Sequence, residues 1–188
     1  PVPATDGAQY PFWSPDSRSL GYFAGGKLRK VQVIGTAGPP VTICDAEEVK
    51  GASWSPAGVI VFAPDASSVL MRVPEAGGVP APTTAFDATF KEDSHRHPRF
   101  LPDGRHFLYL ARVNGGSDDN GVMVGSLDGG PGTLLLRSQA AAQYASGHLL
   151  FLREGTLMAQ PFEASRRRLS GEAVPIADGV NLIANATA

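Results

Sequence analysis

One motif, met four times, constrains this chain more than any other feature. Pro11-Phe12-Trp13-Ser14-Pro15-Asp16-Ser17 returns in register as Ala52-Ser53-Trp54-Ser55-Pro56-Ala57-Gly58 and as Pro98-Arg99-Phe100-Leu101-Pro102-Asp103-Gly104. A degraded copy follows at Gln143-Tyr144-Ala145-Ser146-Gly147. The aromatic residues Trp13, Trp54, Phe100 and Tyr144 stand 41, 46 and 44 residues apart. That period matches a unit of four short strands.

Each copy keeps one internal order. An apolar segment comes first, at 20–23, 59–62, 107–110 and 149–152, and a second follows at 28–33, 69–73, 122–127 and 156–162. A Gly-rich turn closes the second segment in the first three copies, at 35–38, Gly77-Gly78 and Gly129-Gly130. A last short segment ends each unit, at 40–43, 82–84, 133–136 and 173–176. The turn has a mechanism: Pro at its second position presets φ for a type I turn, Asp suits the third, and Gly at the fourth can take φ > 0. Units of this kind bury their faces by stacking on the next unit.

Composition agrees. The chain holds 22 Gly and 16 Pro in 188 residues, which disfavours long helices, while 43% hydrophobic content supports a packed core. Net charge is −2 with 18% charged residues, so nothing supplies the basic excess that nucleic-acid binding needs. Cys44 is the single cysteine, which excludes an internal disulfide framework and a multi-Cys zinc site. The uncharged run at 138–152 contains Gln139, Gln143, Ser146 and His148, so no membrane insertion is expected. The first residues carry neither a charged nor an apolar leader pattern, so a signal or anchor would lie outside this chain.

Trp-Ser-Pro-Asp, an apolar strand, a second strand and Gly-Gly before the outer strand resemble the WD40-like repeats of TolB-type propellers. Two stretches are more specific: His95-Arg96-His97-Pro98-Arg99-Phe100-Leu101-Pro102-Asp103-Gly104-Arg105-His106-Phe107-Leu108-Tyr109, and Leu150-Phe151-Leu152-Arg153-Glu154-Gly155-Thr156-Leu157-Met158-Ala159-Gln160-Pro161-Phe162. They resemble the propeller region of bacterial eukaryotic-like serine/threonine kinases. The repeat gives four four-stranded antiparallel blades, at about 8–46, 49–86, 95–138 and 141–178, and the resemblance implies that they belong to an all-β propeller of TolB/WD40-like type. It also implies an extracytoplasmic sensor, set apart from a kinase domain by a membrane helix. TolB-type propellers have six or more blades, and Gly179-Val180-Asn181-Leu182-Ile183 reads as the approach to another. The chain is therefore read as part of a larger ring. A closed four-bladed ring and two chains forming an eight-bladed ring are the alternatives.

Several motifs carry less than they suggest. Gly21-Tyr22-Phe23-Ala24-Gly25-Gly26-Lys27-Leu28 nearly spells a phosphate-binding loop, yet Leu28 stands where a Mg²⁺-binding hydroxyl is needed and a strand pattern follows. Kinase motifs and a nucleophile elbow are absent from the sequence. Asp93, His95 and His97, spaced two apart in an extended segment, could offer metal ligands on one face, although a solvated link between blades uses the same residues. The loop at 114–121, with Asp118 and Asp119, is oxygen-rich but lacks the spacing of a calcium loop. Arg166-Arg167-Arg168 reads as a solvated turn. Trp13 and Trp54, at equivalent positions, read as packing between blades.

With the inner strand first, the polar connections at 45–50, 91–97 and 114–121 share one face of the disc, and the Pro-Asp and Gly-Gly turns share the other. Lys50, Arg99 and Gln143 then fall near the central channel, and the short-turn face reads as structural. The candidate ligand-binding residues are Lys50, Asp93, His95, His97, Arg99, Asp118 and Asp119. The expected function is non-catalytic recognition of a protein or small ligand on the polar-loop face, with no cofactor and with self-association through an open propeller edge. A periplasmic TolB-like scaffold and a propeller enzyme with a His/Asp metal site are the alternatives.

Overall fold

The computed structural model describes residues 2–35, 38–113 and 117–180. Strands β1 (Gln9–Trp13), β2 (Ser19–Ala24), β3 (Lys27–Gln32) and β4 (Val41–Asp45) form a first antiparallel sheet in chain order. Strands β5 (Ala52–Trp54), β6 (Val59–Phe62), β7 (Met71–Pro74) and β8 (Ala81–Pro82) form a second. The third comprises β9 (Glu92–Phe100), β10 (His106–Val113), β11 (Gly121–Ser126) and β12 (Thr133–Arg137), with a 3-10 turn at Ser117–Asp119. The last holds β13 (Gln143–Ala145), β14 (His148–Arg153), β15 (Thr156–Glu163), β16 (Arg168–Leu169) and β17 (Val174–Ala177). These are blades 1 to 4 of an all-β propeller.

The fourth blade departs from the simple pattern. Its third strand, β15, is long enough to carry two outer partners: β17 along Leu157–Ala159 and the short β16 along Phe162–Glu163. The Pro-Asp turns behave as their chemistry requires. Ser17, Gly58 and Gly104 take φ of 56°, 73° and 65°, and each donates its N–H three residues back, to Ser14, Ser55 and Leu101. Asp16 and Asp103 accept the following backbone N–H groups, which holds the turn closed.

Three apolar seams join the blades. Phe12, Phe23 and Leu28 meet Trp54, Ile60 and Phe62 between blades 1 and 2. Val61 and Leu70 meet Phe107, Tyr109 and Met123 between blades 2 and 3, and Leu108 and Val122 meet Leu149, Phe151 and Phe162 between blades 3 and 4. Each such fully buried side chain contributes about 1.5–3 kcal/mol. In blades 2 to 4 the aromatic residue of the repeat crosses to the preceding blade: Trp54 touches blade 1, Phe100 joins the seam with blade 2, and Tyr144 the seam with blade 3.

Trp13 corrects the expectation of equivalent packing. It is 54% exposed, against 7% for Trp54, because no blade among the described residues precedes its own. The N-terminal residues cover part of that free face, where Tyr22 donates to the carbonyl of Ala4 (3.3 Å), but not Trp13. At the other end, Ala140, Leu150, Leu152, Leu157 and Val180 line an apolar cleft of about 330 Å³ on the free side of blade 4. Of the segment read as an approach to a further blade, residues 181–183 lie outside the described residues.

Candidate functional site

A repeated irregularity shapes the inner strands. Tyr10, Gly51 and His97 each stand three residues before the aromatic position, and take φ of 48°, 99° and 52°. In blades 1 and 3 the pairing slips there: Gln9 pairs Phe23 and Phe12 pairs Gly21, while Arg96 pairs Leu110 and Arg99 pairs Leu108. Two residues thus oppose one, and the strand turns its side chains across the bulge. The traces in sequence are Gly51 and the prolines Pro11 and Pro98 that follow Tyr10 and His97, which hydrophobic periodicity passes over.

The bulge corrects the reading of residues 91–97. They are strand β9 from Glu92 onward, and the two histidines diverge. His95 lies in the seam between blades 2 and 3 and is fully buried, its ring against Phe86 (5.0 Å between centroids) and Tyr109 (4.6 Å). His97, in the left-handed conformation, turns to the inner-strand end. There its N–H donates to Lys50 O (2.8 Å), and its ring lies 6.4 Å from that of Tyr10. Gly51 makes this approach possible, since a Cβ there would stand 3.0 Å from His97 Nδ1. Among the described residues no three His, Cys, Asp or Glu side chains converge as a metal-binding set.

The seam holds a polar line that sequence reasoning missed. Leu70 N–H donates to Thr84 Oγ1 (2.9 Å), and Thr84 Oγ1 lies 2.8 Å from His95 Nδ1. His95 Nε2 lies 3.2 Å from Glu92 Oε2, close enough for attraction but not aligned as a hydrogen bond. Glu92 Oε2 also accepts the N–H of Asp87 (2.6 Å). A hydroxyl, an imidazole and a carboxylate in line have the makings of nucleophilic catalysis. Here Thr84 is 4% exposed, His95 0%, and the Glu92 side chain 1%, so no substrate reaches them. The line is a structural lock. The i, i+3 spacing of Glu92 and His95 is the only trace of it in sequence.

Lys50, Arg96, His97 and Arg99 form the second group, Lys50 in the connection just before β5 and the other three on β9. Arg99 Nη1 donates to Ala52 O (3.0 Å), and Arg96 donates to Ser94 Oγ (3.0 Å) and Ala66 O (2.8 Å). Arg112 pairs with Ser94 on the neighbouring strand, which sets it diagonal to Arg96 on one face. Burial, then Arg99, Arg96 and Lys50, push His97 down from 6.5 to about 4. The fold therefore holds this ring neutral, while the unfolded chain takes up its proton near pH 6.5. Stability from this group is whole above pH 6.5 and falls as the pH drops towards 4, by about 2–3 kcal/mol. His97→Asn, which tolerates the same backbone, should flatten that part of the profile when urea midpoints are measured from pH 7 to 4. Parallel profiles would overturn the assignment.

The remaining candidates lie elsewhere. Asp118 Oδ1 accepts from Gln139 (2.5 Å), and the backbone carbonyl of Asp119 accepts from Arg137, so both belong to the outer side of blade 3. Residues 114–116 of that loop lie outside the described residues. Asp93 keeps a buried Oδ1 without a partner, and its charge supports that of Arg96. Gln143 is exposed and lines the apolar cleft on blade 4. The short-turn face is not featureless: Asp16, Lys30, Trp54, Ser55 and Glu75 line a cleft of about 810 Å³ between blades 1 and 2. Its main polar groups already pair with one another, Trp54 Nε1 with Glu75 Oε2 (2.7 Å) and Lys30 Nζ with Glu75 O (2.8 Å).

No family model and no curated protein matches the sequence. Solved structures do match. TolB from Acinetobacter baumannii superposes with a TM-score of 0.69 at 14% identity, over 92% of this chain and 44% of that one. The likeness is one of fold. Regucalcin from Agrobacterium tumefaciens strain C58, a calcium-binding protein, gives 0.69 at 13% identity, over 94% of this chain and 61% of that one. A puromycin-hydrolyzing peptidase of Mycobacterium tuberculosis gives 0.63 at 13% identity, over 92% and 32%. The chain thus spans roughly one-third to three-fifths of the solved chains it resembles. The β-propeller expected from the repeat is the fold observed.

Proposed function

We propose that this chain is a non-catalytic recognition module, a segment of a larger propeller that presents its contacts from the inner-strand end bearing Lys50, His97 and Arg99. The observation that carries this reading is the bulge at His97, which joins strand β9 to the connection entering β5 and gathers those residues where a ligand or partner can meet them. Two free edges support the larger ring: exposed Trp13 on blade 1 and the leucine-lined cleft on blade 4. The same two edges favour self-association while a neighbouring blade is lacking.

The context we favour is the extracytoplasmic sensor part of a bacterial receptor-like serine/threonine kinase, supported by the residue patterns at 95–109 and 150–162. A TolB-like scaffold for protein partners is the second reading, supported by the fold likeness to TolB. An enzyme built on Asp93, His95 and His97 loses its support, because the histidines diverge. No helix among the described residues is long and apolar enough to cross a membrane, so a receptor would need a span outside this segment. Protease treatment of spheroplasts producing the natural full-length protein tests the context. Cleavage of the propeller from outside, with a membrane-held remainder, is the expected outcome, and full protection until lysis would overturn it.

A further inference from the structure

Cations are concentrated at the inner-strand end of blades 2 and 3, although the chain as a whole carries a net charge of −2. Lys50 and Arg96 occupy the same repeat position, one residue before the bulge positions Gly51 and His97. Arg99 follows His97 by two residues, and the His97 N–H···O contact with Lys50 draws the two blades together here. Arg112 stands diagonal to Arg96 on β10. No described carboxylate lies within ion-pair distance of these four cations. Asp93 and Asp65 are near enough to favour the charge of Arg96, yet two acids do not balance four cations.

The guanidinium groups are also held in place. Arg96 is tied to Ser94 Oγ and Ala66 O, and Arg99 to Ala52 O, all neutral acceptors that leave further N–H donors of each fork unused. Like charges held together on strands repel one another, and an anion placed among them removes the repulsion while accepting charge-assisted hydrogen bonds. His97, neutral in this setting, adds a hydrogen-bonding ring nitrogen and no further charge. Tyr10 flanks it from blade 1.

We propose that Lys50, Arg96 and Arg99, with His97 between them, form a binding site for a multiply charged anion bearing carboxylate or phosphate oxygens. This rests on the recognition reading above and names the class of ligand it takes.

The test is a titration of the protein at low ionic strength with inorganic phosphate and, separately, with citrate, maltose and spermidine serving as neutral and cationic comparators. Histidine ring NMR signals and Tm are followed. At least one anion should shift the His97 signals at millimolar concentration and raise the titration midpoint of its ring, since a bound anion favours the protonated form. Comparing phosphate with citrate tells which oxygen chemistry is preferred. Lys50→Gln, whose side chain makes no hydrogen bond among the described residues, should weaken the response about tenfold, and Arg99→Gln should act in the same direction. Arg167→Gln, at a remote turn, should leave it unchanged. A response to maltose or spermidine but to neither anion would overturn the anion assignment and leave recognition standing. No response to any of the four overturns both. An anion response lost in Arg167→Gln and kept in Lys50→Gln would place the site elsewhere and overturn the proposal.

Discussion

Trp54→Ala should lower the stability of this protein by about 3–5 kcal/mol, while Trp13→Ala should change it by less than about 1 kcal/mol. The two residues hold one position in the repeat and have the same chemistry, so neither propensity nor pattern distinguishes them. Their surroundings do. Trp54 is 7% exposed, packs edge-on against Phe12 at 6.2 Å and donates its indole N–H to Glu75 Oε2. Its truncation opens a cavity in the first seam and strands the Glu75 acceptor. Trp13 is 54% exposed and loses little apolar contact on truncation. Denaturant midpoints of the two variants measure the difference, and equal losses would mean that Trp13 is covered in solution. In a longer chain carrying a preceding blade, the Trp13 variant should become costly as well, and that comparison reports on ring completion.

His95→Ala is expected to cost about 3–5 kcal/mol for a different reason. The ring is fully buried between Phe86 and Tyr109, and its Nε2 lies 3.2 Å from a carboxylate whose side chain is 1% exposed. Removing it leaves the Glu92 charge facing apolar walls, with only the Asp87 N–H to satisfy it. Thr84 Oγ1 loses a partner in the same step. Adding Glu92→Gln to His95→Ala should recover part of the loss, because a neutral amide oxygen still accepts from Asp87 and carries no buried charge. A double-mutant cycle in urea gives the coupling. Strict additivity of the two substitutions would show that the pair does not act as a unit.

The propeller was legible in the chain because its physics is local and repeated. Pro15, Pro56 and Pro102 preset the same turn, and the alternating apolar segments after them pair with their neighbours in sequence. Such hairpins need no information from distant residues. In the fold Arg99 and Gln143 stand on the inner strands β9 and β13, and Lys50 just before β5. The roles of Asp93, His95 and His97 did not follow from the repeat. A two-residue spacing places side chains on one face only if the strand stays regular, and the left-handed bulge at His97 breaks that rule.

Residue pattern alone thus determines the strand order, the turn chemistry and the stacking of four similar blades, since these rest on short-range preferences and a shared period. Tertiary structure decides which equivalent residues are buried, and which chemistry-bearing side chains meet. Trp13 and Trp54 differ because one has a blade before it, and His95 and His97 differ because one backbone angle sends them to separate environments. Burial and electrostatic surroundings belong to contacts between distant parts of the chain, and no period in the sequence records them.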